Sequence, residues 1–158
     1  MTTTSRVFRH EIAVSFGDCD PAGIVFYPNF YRWFDIAVHA LMREIDWGWQ
    51  RTADEFGWLG LPLAGASAKF LRPVTHGDRI IVESQVVSVA DRRIVFAHRV
   101  LRGEVLACEG EETRFIGVPH PDDPARVKAI DVPAALQVAL GIGPDAGPEL
   151  TRGPIDHG

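Results

Sequence analysis

With 158 residues, 46% of them apolar and 23% charged, the chain has the length and composition of one globular domain, 1–158, with a sizeable core and no room for a second. A net charge of −5 and a pI near 5.6 argue against a general nucleic-acid binder, while a local basic patch can still hold an anionic ligand. No apolar run reaches the roughly 18 residues of a membrane span, the opening Met1-Thr2-Thr3-Thr4-Ser5-Arg6 lacks a secretory apolar region, and the only cysteines are Cys19 and Cys108; a reducing cytoplasm, without membrane contact, is the expected setting.

From Val7 to Phe16, Ile12, Val14 and Phe16 alternate with other residues, which predicts a strand with one buried face. It delivers the chain to Asp18-Cys19-Asp20-Pro21-Ala22-Gly23, where two acids one residue apart meet a sharp turn. A carboxylate positioned there is a potential base or nucleophile. Tyr27-Pro28-Asn29 then predicts a helix start, because proline is favoured where its missing N–H costs nothing. Free backbone N–H groups, with the positive end of the helix dipole behind them, suit a carbonyl oxygen that gains negative charge during acyl transfer.

After Pro28, Phe30, Trp33, Phe34, Ala37, Val38, Leu41 and Ile45 recur at three- and four-residue spacing, predicting a helix of about five turns with one apolar stripe. Asp35 falls at the border of that stripe. Asp46-Trp47-Gly48-Trp49 ends the helix, and a short second helix is expected over 52–56. Four strands are predicted over 63–72, 79–89, 93–102 and 105–117, the last three as a meander. The stretch from Pro119 onward carries seven of the eleven prolines; a loop, a short helical turn within 132–140 and a flexible tail over 141–158 are expected, leaving a core of about 6–135. One long helix between a first strand and four later ones implies an α+β fold, a five-stranded antiparallel sheet wrapped around that helix. The sheet's other face and its edges need cover, which a second copy of the chain supplies; a dimer or tetramer is expected.

The stretch Phe16-Gly17-Asp18-Cys19-Asp20-Pro21-Ala22-Gly23-Ile24-Val25-Phe26-Tyr27-Pro28-Asn29-Phe30-Tyr31-Arg32-Trp33-Phe34-Asp35 resembles the active-site region of 4-hydroxybenzoyl-CoA thioesterases of the hotdog fold. Similarity continues through Trp49, Gly57, Gly60, Pro62 and Phe70 to about Ala134. The resemblance implies a hotdog fold, hydrolysis of an acyl-CoA thioester without metal or cofactor, and a homo-oligomer whose sites lie between subunits. It further implies Asp20 as the catalytic carboxylate, the Tyr27 backbone N–H as the group that polarises the thioester carbonyl, and Asp35 as the acceptor for the ring's 4-hydroxyl. Trp49 and Leu61-Pro62-Leu63 match positions lining the ligand site, and Arg92 and Arg93 match a basic patch that meets the nucleotide end of coenzyme A. Phe30-Tyr31 stands where a tyrosine and a histidine are more usual, and Asp91 where another cation is expected.

Plainer roles stand beside these. An acid pair in a turn ordinarily serves the turn, and Asp18 reads as such a structural group. Asp35 at a helix border is, on its own, a solvated acid, and Arg92-Arg93 at a hairpin a solvated pair. Cys19, flanked by two acids, makes a poor thiolate nucleophile. His39 and His98 have no obvious nucleophile beside them, and Ser67, Ser84 and Ser88 lack a nucleophile-elbow context. Three other functions compete: a broader short-chain or aryl acyl-CoA thioesterase, a non-catalytic acyl-CoA binding protein, and a magnesium-dependent Asp-x-Asp phosphatase. The phosphatase requires a buried apolar strand before the motif and alternating strands and helices after it.

Overall fold

The computed structural model describes residues 5–142. Strand β1 (Val7–Ala13) leads through a 3₁₀ turn (Phe16–Asp18) and a tight loop into helix α1 (Pro28–Glu44), followed by α2 (Trp49–Phe56), β2 (Leu63–Phe70), β3 (Arg79–Ala90), β4 (Arg93–Arg102) and β5 (Val105–Arg114). The five strands form one sheet in the order β1-β3-β4-β5-β2, every pairing antiparallel. This is the expected sheet around one helix, with β3, β4 and β5 as the meander. The alternating strands and helices that the phosphatase requires do not occur among the described residues.

The stripe on α1 makes this arrangement necessary. Phe30, Trp33, Phe34, Ala37, Val38 and Leu41 are all buried, and they face the alternating residues Ile80, Val82 and Val86 of β3 and Ile94, Phe96 and Val100 of β4. Fully burying a side chain of this size contributes about 1.5–3 kcal/mol, so the helix cannot leave the sheet without losing the core. Asp46, at φ 64°, stops α1 in a left-handed turn, and the Trp47 N–H donates back to the Met42 carbonyl at 2.8 Å.

Several boundaries differ from expectation. The strand expected from Val7 to Phe16 ends at Ala13, and Phe16, expected on its buried face, is exposed in the 3₁₀ turn; the strand expected over 63–72 ends at Phe70. Helix α2 starts at Trp49 rather than Thr52, because the Thr52 hydroxyl donates back to the Gly48 carbonyl, 3.1 Å away, from inside the helix and is buried there. The expected strand 105–117 breaks at Phe115, whose N–H turns to the Pro62 carbonyl. The chain then forms β6 (Ile116–Pro119), paired with β7 (Val127–Ile130). That hairpin replaces the expected loop: Pro121 and Pro124 lie in its connection, and Pro119 closes its last pair opposite Val127, so no proline interrupts the ladder. The predicted short helix is α3 (Ala134–Ala139). Of the expected tail, Ile142 packs against the core, and residues 143–158 lie outside the described residues.

Candidate active site

The acid motif is held by its first aspartate. Asp18 accepts hydrogen bonds from the Ser15 N–H (2.9 Å), the Ser15 hydroxyl (3.0 Å) and Arg32 Nη2 (2.9 Å). Its carbonyl accepts from the Phe26 N–H at 2.9 Å and from Asn29 Nδ2 at 2.8 Å. Asp18 thus ties the loop to the start of α1, as its structural assignment anticipates. Asp20 sits two residues on in a much tighter turn: its N–H donates to the Ile24 carbonyl and its carbonyl accepts from the Gly23 N–H, both at 2.9 Å. Gly23 adopts φ 80°, a conformation that favours glycine. The Ala22 N–H donates to Asp20 Oδ1 at 2.8 Å, which fixes the carboxylate, and Oδ2 has no partner among the described residues.

Tyr27 already has helical geometry (φ −54°, ψ −33°) and Pro28 has no N–H to offer. The Asn29 and Phe30 N–H groups turn back to Phe26 and Tyr27 carbonyls. The Tyr27 N–H has no acceptor among the described residues, so it is the open donor of the helix's first turn. Beside it is a cavity of about 380 Å³, lined by Ile24, Val25, Tyr27, Phe30, Phe70 and the Leu71–Val74 segment. An open carboxylate oxygen and an open amide on one loop, the amide's residue lining a largely apolar cavity, suit attack on a carbonyl with stabilisation of the resulting oxyanion.

A second cluster centres on Arg114, at the end of β5 and almost fully buried. Its Nη2 donates to Asp35 Oδ1 (2.9 Å) and to Glu112 Oε2 (2.8 Å), and its Nη1 donates to the Leu61 carbonyl (3.1 Å). Glu112 Oε1 lies 2.9 Å from His98 Nε2, and His98 Nδ1 lies 2.8 Å from the Ser84 hydroxyl. His98 therefore does have a serine beside it, contrary to expectation, because register pairs Ser84 with His98 across β3 and β4. Ser84 is 1% exposed, which removes it as a nucleophile towards an external substrate.

Burial pushes the His98 pKa down from 6.5, outweighing its bond to Glu112, so the ring is neutral. Burial alone would push the Glu112 carboxyl up, but hydrogen bonds from His98 and Arg114, with the guanidinium charge, bring it below its ordinary range. With Glu112 ionised and His98 neutral, Nε2–H donates to Glu112 and Nδ1 accepts from Ser84. The ring stacks on Phe34 at 4.6 Å between centroids. Gly110, directly opposite His98 on β5, leaves the space for Phe34, since a Cβ there would lie 2.4 Å from its Cε2. Cys108, on the same buried face of β5, has its thiol pushed up to about 12 by burial and the nearby Glu109 and is chemically inert.

The other expected site residues divide into two groups. Asp35 is half-exposed, with His39 Nε2 3.5 Å from its Oδ1. His39, Trp49 and Leu61 line one small cavity; the Pro62 carbonyl is held by Phe115; Leu63 is exposed on β2, an edge strand of the sheet. Of these, His39 meets Asp35 directly and Leu61 meets it through Arg114; Asp35 lies eight positions beyond Tyr27 and so about 12 Å along the helix axis. Arg92 and Arg93 do not join them. They follow Asp91 in the β3–β4 turn, where Arg92 Nε pairs with Asp131 at 3.0 Å and the Arg93 guanidinium lies 4.9 Å over the Phe115 ring. Asp20's loop contacts the opposite end of β3, through Gly23 and Thr75. Eleven strand steps separate the two ends, roughly 36 Å.

Residues 14–140 match the family model described as Thioesterase-like superfamily. The chain is 33% identical over 136 residues to a 4-hydroxybenzoyl-CoA thioesterase of Pseudomonas sp. (strain CBS-3), covering 82% of this chain and 94% of that one. It is 28% identical over 125 residues to a 1,4-dihydroxy-2-naphthoyl-CoA hydrolase of Synechococcus sp. (strain CC9311), covering 70% and 82%. The crystal structure of a 4-hydroxybenzoyl-CoA thioesterase variant complexed with 4-hydroxybenzoyl-CoA superimposes with a TM-score of 0.78 at 28% identity, over 86% of this chain and 99% of that one.

Proposed function

The chain belongs to the thioesterase-like superfamily of hotdog-fold acyl-CoA hydrolases, and from that premise we propose that it hydrolyses a hydroxylated aryl-CoA thioester, 4-hydroxybenzoyl-CoA first among them, to the free acid and coenzyme A. Asp20 acts on the thioester carbonyl, either by direct attack of Oδ2, giving a mixed anhydride that water then hydrolyses to the free acid and the restored carboxylate, or by taking a proton from an attacking water. The negative charge that develops on the carbonyl oxygen is met by the Tyr27 N–H, a fixed donor of a kind whose removal costs about 10²–10³ in kcat. Coenzyme A leaves as the thiolate. The observation that carries this proposal is that Asp20 Oδ2 and the Tyr27 N–H, on one loop, are both without a hydrogen-bond partner among the described residues.

Asp35 receives the ring hydroxyl, with Trp49 and Leu61-Pro62-Leu63 lining the ring's surroundings. Both curated relatives named above carry hydroxylated aryl groups in their substrate names, which supports a hydroxyl acceptor here. Arg92 and Arg93 meet the phosphates at the nucleotide end of coenzyme A. Because they lie roughly 36 Å from the Asp20 end of the same sheet, that contact comes from a second copy of the chain, in a homodimer or homotetramer. The apolar residues exposed on edge strand β2, Leu63 and Phe70, fit such a partner.

A second reading, a broader short-chain or aryl acyl-CoA thioesterase, draws on the cavity beside Tyr27, whose lining of Ile24, Val25, Phe30 and Phe70 suits any apolar acyl group. A screen of 4-hydroxybenzoyl-, benzoyl-, phenylacetyl- and short-chain acyl-CoA thioesters by thiol release separates the two. Highest kcat/KM on 4-hydroxybenzoyl-CoA supports the aryl assignment, equal or higher values on aliphatic thioesters move it to the broader class, and retention of thioesters without turnover by the wild type contradicts both.

A further inference from the structure

We propose that Arg114 is the positioning residue of the aryl subsite, orienting the Asp35 carboxylate through a buried run of hydrogen bonds that begins at Ser84. This rests on the proposal above that Asp35 receives the ring hydroxyl, and it explains how a half-exposed acid on a helix border acquires a fixed direction. Asp35 Oδ1 is taken by Arg114 Nη2 at 2.9 Å, with His39 Nε2 at 3.5 Å. Oδ2 has no partner among the described residues and is the oxygen left for a phenol. Without the guanidinium, a carboxylate with 52% of its side chain exposed is free to change rotamer and to be solvated, and the incoming phenol must then order it.

Arg114 is itself held in place. Its planar fork joins three elements: Asp35 on α1, the Leu61 carbonyl ahead of β2, and Glu112 on its own strand. The first two are parts of the expected ligand-lining region, so one side chain sets their relative position. Glu112 is fixed in turn by His98, and His98 by Ser84. The donors converge on Glu112 from both sides: Ser84 O–H donates to His98 Nδ1 and His98 Nε2–H to Glu112 Oε1, while Arg114 Nη2 donates to Glu112 Oε2 and also to Asp35 Oδ1. Phe34 and Phe96 lie parallel to the His98 ring at 4.6 and 6.4 Å between centroids, so the imidazole cannot tilt. Such supporting groups convert a nearby charge into a directed one.

The test compares kcat/KM for 4-hydroxybenzoyl-CoA and benzoyl-CoA in the intact enzyme. Arg114→Lys keeps the charge but cannot reproduce a planar fork that bridges three acceptors. We expect the preference for the hydroxylated ring to fall about tenfold, chiefly as a raised KM for that substrate, because the hydroxyl contact is made in ground and transition states alike. A purely structural Arg114 lowers both substrates in proportion and leaves the ratio alone. Glu112→Gln, which retains Arg114 and loosens its support, should lower the ratio at least threefold; it also serves if Arg114→Lys gives no folded protein. In an Asp35→Ala background, Glu112→Gln should leave the ratio unmoved. If Asp35→Ala erases the preference while Arg114→Lys and Glu112→Gln both preserve it, the positioning role is wrong and the aryl assignment stands. If the wild type has no preference, or Asp35→Ala keeps it, the aryl assignment fails and the positioning role with it.

Discussion

Replacing Gly110 by alanine places a methyl group where the buried face of β5 has no space. The new Cβ would lie 2.4 Å from Phe34 Cε2, 2.7 Å from Phe34 Cζ and 3.0 Å from the Ser67 carbonyl oxygen. Phe34 is fully buried and stacked against His98 at 4.6 Å, so relief requires moving either that ring or strand β5. Overpacking of this kind costs about 1–3 kcal/mol, and with backbone on one side and a locked ring on the other we expect the upper end. At an m value near 2 kcal/mol/M, a cost of about 3 kcal/mol lowers the urea midpoint by roughly 1.5 M. Unfolding is followed by near-ultraviolet circular dichroism at one fixed protein concentration, since association adds to apparent stability. Phe34→Leu, destabilising alone, should cost at least about 1 kcal/mol less in the Gly110→Ala background, because the shortened side chain makes room for the methyl. A loss below about 1 kcal/mol for Gly110→Ala, or strict additivity of the two changes, would refute the account of how Phe34 packs over the His98 network.

Three further outcomes are expected. Because His98 titrates below its ordinary 6.5 in the folded chain, the unfolded chain takes up that proton first; stability is intact above pH 6.5 and falls, by up to about 1.4 kcal/mol per pH unit, as pH drops from there towards the folded value. Glu112, titrating below its ordinary 4.5, extends the loss to lower pH in the same direction. His98→Gln should flatten the decline between pH 6.5 and 5, and urea midpoints with an unchanged slope there would contradict the assignment of a buried neutral imidazole. Replacing Arg92 and Arg93 together by alanine should raise KM for a CoA thioester and make its salt dependence shallower, with kcat little changed; a pantetheine thioester, which lacks the nucleotide phosphates, should show no penalty. Asp18→Asn should lower stability through its contacts with Ser15 and Arg32 and reduce turnover less than the same change at Asp20, and the reverse order would reassign the catalytic acid.

The α1 stripe and the strand meander were legible because burial imposes periods of 3.6 and 2 on the sequence, and both survive in Phe30–Leu41 and in Ile94-Phe96-His98-Val100. The β6–β7 hairpin was not, because its prolines read as breakers until the pairing places them outside the ladder. At the site, local chain chemistry (acid pair, turn, glycine, proline) marks the loop and the helix start, while singling out Asp20 over Asp18 and the Tyr27 N–H rests on the family resemblance. Arg114 required information that no local pattern carries. Ser84 and His98 each occupy a position of an alternation that elsewhere holds Ile, Val or Phe, and that was the available signal; Glu112 and Arg114 follow Cys108 and Gly110 on β5, where no such alternation runs. Only the register, Ser84 opposite His98 and His98 opposite Gly110, shows that these exceptions touch. That Arg92 and the Asp20 loop lie towards opposite ends of β3 is likewise a property of strand length and connection, which no local pattern carries.

The central claim, that Asp20 carries the chemistry, is tested most directly by the single-turnover rate of Asp20→Asn on its best acyl-CoA substrate at saturating enzyme. Asparagine nearly preserves the shape of the loop and removes both nucleophile and base. A rate lowered by about two orders of magnitude or more, with the thioester still bound, is the predicted result; a rate within about threefold of wild type would show that the reaction is carried elsewhere.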